Sequence, residues 1–404
     1  MALTVLPGQS HFPCVSERGL EPTGVVARLA PDKAFCAHIN LRSAVVGHTW
    51  GINASSVAAE GGLARSRAAA LGVGIPQGGL TFGAPHRRRV AAHSTELGFG
   101  GRARVDAPEG PGEGMMVAVR INEAGVGVTG ATGRLGGRVA RRLAEAGVSQ
   151  RLLVRDPSRA PDLPGATVVR AGYDDRDAVV RALAGVRTLL MVSASETPDR
   201  VAQHTAFVDA MVDAGVEHLV YISFYGAAAD STFTLARDHH ATEDHIRGSG
   251  LAFTFLRDNL YADFLPALVG ADGVIRGPAG QGQVAAVAQD DIADAAVAVL
   301  LAPATHVGAT YSLTGPQALT LSEVAIILTA AQGRPVRYRP ETVAEAYASR
   351  ASYGAPDWQV QAWVSTYTAI AAGELATVTD DVPLLTGRPG TSLVELLRRN
   401  GSAY

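Results

Sequence analysis

An α/β architecture, a doubly wound parallel sheet followed by a smaller mixed α/β region, is what this 404-residue sequence predicts. Three observations predict it. From about residue 125, short β-branched runs alternate with amphipathic helical patterns at a spacing of roughly 20–40 residues, the texture of βαβ crossovers. The first run opens directly into a glycine-rich turn and then a helical pattern. Beyond residue 256 the alternation loosens into shorter, glycine-punctuated pieces.

The strand runs are 126–129, 152–155, 167–171, 188–192, 219–223 and 252–256, each mostly apolar as a strand covered on both faces must be. Helical periodicity marks 136–146, 177–183, 201–214 and 236–249. A loop at 258–264 and glycine-rich turns at 270–282 follow, then a strand 283–287, a helix 291–301, a strand 310–313 and a helix 322–332. Two further helices are expected at 343–350 and 358–372. Ligands of open α/β sheets bind outside the carboxyl ends of the strands, so this region, 258–282 and 305–404, is expected to close over the crevice as a substrate-side subdomain.

Residues 1–114 are a different kind of sequence. They hold 11 basic and 8 acidic side chains, against 24 and 30 in 115–404, and have glycine- and proline-rich patches without sustained periodicity. Such a segment cannot easily bury a core, and disorder is expected. Gly112-Glu113-Gly114 back-translates to a purine-rich stretch immediately before Met115-Met116, as a ribosome-binding site precedes a start codon. The segment is therefore expected to be either translated upstream sequence or a flexible extension. The run Arg87-Arg88-Arg89 is too short to argue for nucleic acid.

Composition excludes several chemistries. The chain has one lysine, Lys33, so a Schiff base, a P-loop lysine and a Tyr-x-x-x-Lys dyad are ruled out for the body of the sequence. Its two cysteines, Cys14 and Cys36, support neither a disulfide framework nor a cysteine metal site, and a cytoplasmic location is expected. No apolar stretch reaches the roughly 18 residues a membrane span needs, so no membrane association is expected. His218, His240 and His245 lack convergent partners in sequence, and no metal site is expected.

Gly130, Gly133 and Gly136 stand between a strand and a helix. The first allows a tight turn, the second close approach of backbone amides to a pyrophosphate, and the third close packing of helix on strand. With Thr132, Arg134 and Leu135 they form a candidate dinucleotide cradle at a helix amino terminus, the hallmark of a Rossmann-type fold. About 25 residues after the first glycine, where the adenosine ribose is read, stands Arg155, suited to a 2′-phosphate. NADPH is the expected cofactor, with NADH allowed. Asp156, followed by proline, is expected to cap the turn. Candidate polar groups at later strand ends are Ser193, Ser195 and Ser223 for the cofactor, Tyr225 and His239 for chemistry, and Phe224, Asn259 and Tyr261 for substrate.

With these residues in hand the chain resembles the NmrA-like atypical short-chain dehydrogenases, and within them the bacterial NAD(P)H:quinone oxidoreductase type 2 group. The resemblance covers about residues 125–399. It rests on Thr129-Gly-Ala-Thr-Gly-Arg-Leu-Gly136, Leu153-Val-Arg155-Asp-Pro and Leu189-Leu-Met-Val-Ser-Ala-Ser195-Glu. Further motifs are Asp238-His239-His-Ala-Thr-Glu243, Thr254-Phe-Leu-Arg257-Asp-Asn-Leu-Tyr261, Asp290-Asp-Ile-Ala293 and Tyr311-Ser-Leu-Thr-Gly-Pro316. The chain departs from the family at the end of the third strand, where Gly172 replaces the usual adenine-bordering aspartate and Asp174, two residues on, is the cofactor-binding candidate.

The resemblance implies NAD(P)H-dependent reduction of a quinone or similar electrophilic carbonyl, or else a non-catalytic NAD(P)-sensing role of the NmrA type. A homodimer is compatible with it. Quinone reduction tolerates the missing dyad, because positioned hydride transfer and a donor to the oxygen suffice. His239 and Glu243, four residues apart on one helix face, are read either as a proton donor with its orienting partner or as a surface pair. Phe224 and Tyr225 either flank a flat ring or simply pack.

Overall fold

The structure, a computed structural model, describes residues 125–401. The expectations for residues 1–114 lie outside the described residues. The chain begins with β1 (Val126–Thr129), α1 (Arg134–Glu145), β2 (Gln150–Val154), β3 (Ala166–Arg170), α2 (Arg176–Leu183) and β4 (Thr188–Val192). It continues through α3 (Arg200–Asp213), β5 (His218–Phe224), α4 (Thr234–Gly248) and β6 (Ala252–Asp258). The remainder comprises β7 (Val274–Gly277), β8 (Gln283–Val284), α5 (Gln289–Leu301), β9 (Thr310–Leu313), β10 (Leu319–Thr320) and α6 (Leu321–Gln332). After these come β11 (Arg337–Pro340), α7 (Val343–Arg350), α8 (Asp357–Ala371), α9 (Asp381–Thr386) and α10 (Leu393–Asn400).

Seven strands form one sheet in the order β3-β2-β1-β4-β5-β6-β9, all parallel. The order reverses between β1 and β4, and such a switch point opens a crevice at the carboxyl edge. On one face, α1 and α5 cover a core of Leu135, Val139, Leu143, Leu190, Ile222, Ile292 and Val299. On the other, α2, α3 and α4 bury Val179, Phe207, Met211, Tyr221 and Phe255. A third core joins the end of β5 to α6, α8 and α10 around Phe224, Leu328, Trp363 and Leu396.

An ionic clasp ties α1 to α5. Arg138 Nε lies 3.0 Å from Asp290, while Arg142 reaches Asp290 and Asp294 at 2.6 Å each. Arg388, just beyond α9, pairs with Asp291 at 2.8 Å and with Asp294.

The expected elements exist, and two regions differ in kind. The stretch 305–404, expected to belong wholly to the substrate side, returns β9 to the main sheet, where Phe255 pairs with Thr310 and Asp258 with Leu313. An open edge of β6 can be satisfied by a parallel strand from anywhere later in the chain, which local patterning does not reveal. The turns expected at 270–282 include β7, which pairs in parallel with the unforeseen β11. The strand expected at 283–287 shortens to β8, paired with β10.

Candidate functional site

At the switch point the first glycine turn is built as its spacing requires. Gly130 has φ +66°, a left-handed conformation, and its carbonyl accepts from Gly133 N at 2.8 Å. A Cβ on Gly136 would lie 2.4 Å from Gly130 O and 2.8 Å from Thr129 O, so only glycine lets α1 start this close to β1. Gly133 caps α1 without a side-chain hydrogen bond, leaving the amino-terminal amides to a ligand.

Around this turn runs a cleft lined by the ends of four strands. Gly130, Thr132, Gly133, Arg155, Asp174, Ser193 and Ser195 all line it, which brings together seven of the residues singled out in the sequence. Arg155 follows the last residue of β2 and is exposed, with Asp156 beside it accepting from Ser158 N at 3.0 Å as the expected turn cap. A Cβ on Gly172 would meet only the carboxylate tip of the exposed Asp174, at 2.5 Å, which can turn aside.

Sequence reasoning missed Tyr173, Thr197 and Gln203, which also line the cleft. Tyr173 donates to the Val192 carbonyl at 2.5 Å and lies 2.7 Å from Thr129 Oγ1, which accepts from Val192 N at 2.9 Å. One phenol thus bolts together β1 and β4 where they diverge. Its only sequence signal is its place beside the missing aspartate.

The cleft fits a dinucleotide on its own chemistry. Ser193 is 7% exposed, and its hydroxyl is buried with no hydrogen-bond partner among the described residues. A buried hydroxyl is rarely left so, and a ligand in the cleft would satisfy it. Thr197 Oγ1 is in the same condition.

The remaining candidates are placed elsewhere. Arg134 is exposed on α1, and Leu135 is fully buried beneath it in the core. His239 and Glu243 share a face of α4, but they do not pair and neither is at the surface. Their spacing on the helix matches that of Tyr221 and Ser223 on β5, and each finds its partner there. His239 Nδ1 lies 3.0 Å from Tyr221 Oη and its Nε2 3.0 Å from the Arg200 guanidinium. Ser223 donates to Glu243 at 2.6 Å, so its hydroxyl is engaged inside the protein and does not line the cleft.

Glu243 also receives Arg257 (2.8 and 2.5 Å) and Arg247 (2.8 Å). Phe224 is fully buried, 4.9 Å from the Phe233 ring, and is core rather than a ring platform. Tyr225 packs half-buried on the same core, its N–H donating to Asp258 O at 2.8 Å. Asn259 is buried and bonded to Leu375 O and Leu260 N, tying β6 to the C-terminal region. Tyr261 donates to Asp258 at 3.0 Å, and burial holds that carboxyl well above the usual range against this bond and the Arg200 charge.

Burial, with the Arg200 charge second, holds His204 well below the ordinary histidine value. Its Nε2 accepts from Ala194 N at 2.9 Å, a role only the unprotonated nitrogen can fill. In the unfolded chain His204 takes up a proton near its ordinary value, whereas the folded protein resists it. The stability held above that value is therefore lost as pH falls below it, by up to about 1.4 kcal/mol per unit. Urea unfolding from pH 7.5 to 5 should show falling stability, and His204→Gln should remove this component of the slope. Equal slopes in both proteins would show that His204 titrates freely.

Residues 130–303 match the family described as NAD(P)H-binding. An NAD(P)H azoreductase of Xenophilus azovorans is 35% identical over 69% of this chain and 98% of its own length. Quinone oxidoreductase 2 of Escherichia coli is 34% identical over 67% of this chain and 96% of its own. Its crystal structure with NADPH superposes with a TM-score of 0.63 over 68% of this chain and 99% of that one. The negative transcriptional regulator NmrA, solved with NADP, shares the fold at 17% identity, with a TM-score of 0.55 over 69% of this chain and 95% of its own. Near-complete coverage of such relatives, on a sheet whose switch point carries the glycine cradle, makes the chain a member of the NAD(P)H-binding family, with an NmrA-like fold, and an NAD(P)H-dependent oxidoreductase.

Proposed function

We propose that the protein reduces quinones or related electrophilic carbonyl acceptors, with NADPH as the preferred donor. The observation that carries this reading is that the polar groups at the β5–α4 side are committed to one another. Ser223 is held by Glu243, and His239 lies between Arg200 and Tyr221. With no lysine after position 33, there is no dyad to ionise an alcohol. An acceptor that gains stability as a hydroquinone anion, and takes its proton from water, suits such a site. NADPH, when bound, supplies the hydride. The azoreductase and quinone reductase names of the relatives support the class of acceptor.

Arg155 has no hydrogen bond or ion pair to another described residue, which leaves its guanidinium for a 2′-phosphate at the cleft. Arg155→Ala should weaken NADPH binding by about 1.5–3 kcal/mol and leave NADH nearly unchanged. The test follows NADPH and NADH absorbance with a benzoquinone and an azo dye, in wild type and variant. Tight NADPH binding without turnover of either acceptor would replace the enzymatic reading with the sensing one. Equal losses for both nucleotides would make Arg155 a structural residue.

A further inference from the structure

The backbone of Ala194 is held from behind by two buried side chains. Ala194 joins the two serines that line the cleft and lies past the end of β4, so its polar groups have no sheet partner. Its N–H donates to His204 Nε2 at 2.9 Å, and its carbonyl accepts from Arg200 Nε at 3.2 Å. Arg200 and His204 are one turn apart on α3 and are 1% and 0% exposed. We propose that His204 and Arg200 are positioning residues for the nucleotide. They clamp both backbone polar groups of one residue, and so the two peptide planes that flank Ala194, so that Ser193 and Ser195 are presented to NAD(P)H in a single orientation.

The clamp is directional. Because Ala194 N–H donates to Nε2, His204 carries its proton on Nδ1 and gives it to Thr242 Oγ1 at 2.9 Å, which donates onward to the Asp238 carbonyl at 2.8 Å. Arg200 extends a second arm to His239 Nε2 at 3.0 Å and lies 3.6 Å from Asp238 Oδ2. The cleft loop is thereby pinned to α3 and α4 through groups that never touch the cleft. Ser193 Oγ, by contrast, is left without a partner among the described residues. His239, placed among the catalytic candidates by the sequence, takes its place here as a support for Arg200.

The inference rests on the nucleotide site and not on the acceptor, so direct binding tests it. NADPH fluorescence titrations of the full chain should show the dissociation constant raised about tenfold in His204→Leu, the effect of one unsatisfied buried donor. His204→Gln, whose amide accepts from Ala194 and donates to Thr242, should bind within about threefold of wild type. Arg200→Lys keeps the charge but loses the planar fork, and should weaken NADPH about fivefold or more. Melting temperatures and exchange of the Ala194 amide are read alongside. A lowered melting temperature with unchanged NADPH affinity in the leucine or lysine variant would overturn the proposal, as would a glutamine variant that binds as weakly as the leucine one. If the leucine variant does not fold, the glutamine and lysine titrations decide. Failure of the wild type itself to bind NADPH would instead remove the nucleotide reading.

Discussion

Gly136→Ala should cost the protein both its nucleotide site and much of its stability. The added methyl would lie 2.4 Å from Gly130 O, 2.5 Å from Gly130 C and 2.8 Å from Thr129 O, all backbone atoms of the turn itself. Nothing there can rotate away, so α1 must back off β1 and carry its free amino-terminal amides out of register with the cleft. Overpacking of this kind costs about 3 kcal/mol or more when the obstacle is main chain. NADPH affinity is expected to fall about a hundredfold, as it would if two amide hydrogen bonds to the pyrophosphate were broken. Gly248→Ala is the matched control. It closes α4 with open space around its Cβ position, and alanine there should add up to about 1 kcal/mol. Calorimetry should move in opposite directions for the two variants, whereas nucleotide titration should change only for Gly136→Ala. Near-wild-type binding in Gly136→Ala would mean that the turn has slack.

Glu243→Ala is expected to produce the largest purely structural loss. The carboxylate is fully buried and receives Ser223, Arg247 and Arg257, so its removal strands the Arg257 guanidinium and a buried hydroxyl beside β5 and β6 and leaves Arg247 with Asp244 as its carboxylate partner. Breaking a buried ion pair from one side costs about 3–5 kcal/mol, here toward the lower end because Arg247 and Arg257 keep some contact with solvent. Glu243→Gln, which retains one acceptor oxygen but not the charge, should recover part of the loss. Urea unfolding measures both, and a loss under about 1 kcal/mol would show that solvent already screens the cluster.

The nucleotide half was legible because each of its signals is local. A strand, a turn with three glycines and a helix lie within some 20 residues, and the strand ends that line the cleft are marked by breaks in β-branched runs. Arg155, Ser193 and Ser195 could thus be placed by counting. The α4 side was not legible for a physical reason. Periodicity shows that His239 and Glu243 share a face, but not which strand that face meets. Their true partners, Tyr221, Arg200 and Arg257, lie 14 to 39 residues away. Gln203 and Tyr173 were missed because a helix flank and a strand tail reach the cleft only through the twist of the sheet. The β7–β11 pair was hidden for the same reason as β9: its partners are distant and its strands are four residues each.

The ionic clasp between α1 and α5 also sets a schedule for synthesis. Arg138 leaves the ribosome 152 residues before Asp290. At about 5–20 residues per second the wait is roughly 8–30 s. Once β4 and β5 have been made, Leu190 and Ile222 still await the cover of α5, and Arg138 and Arg142 of the nucleotide helix await its acids. β9, which completes the sheet, arrives later still. The half of the molecule that recognises the nucleotide is made before the helix that locks it, so a ribosome stalled before residue 290 would display the apolar strip beside α1 that α5 covers to chaperones and proteases.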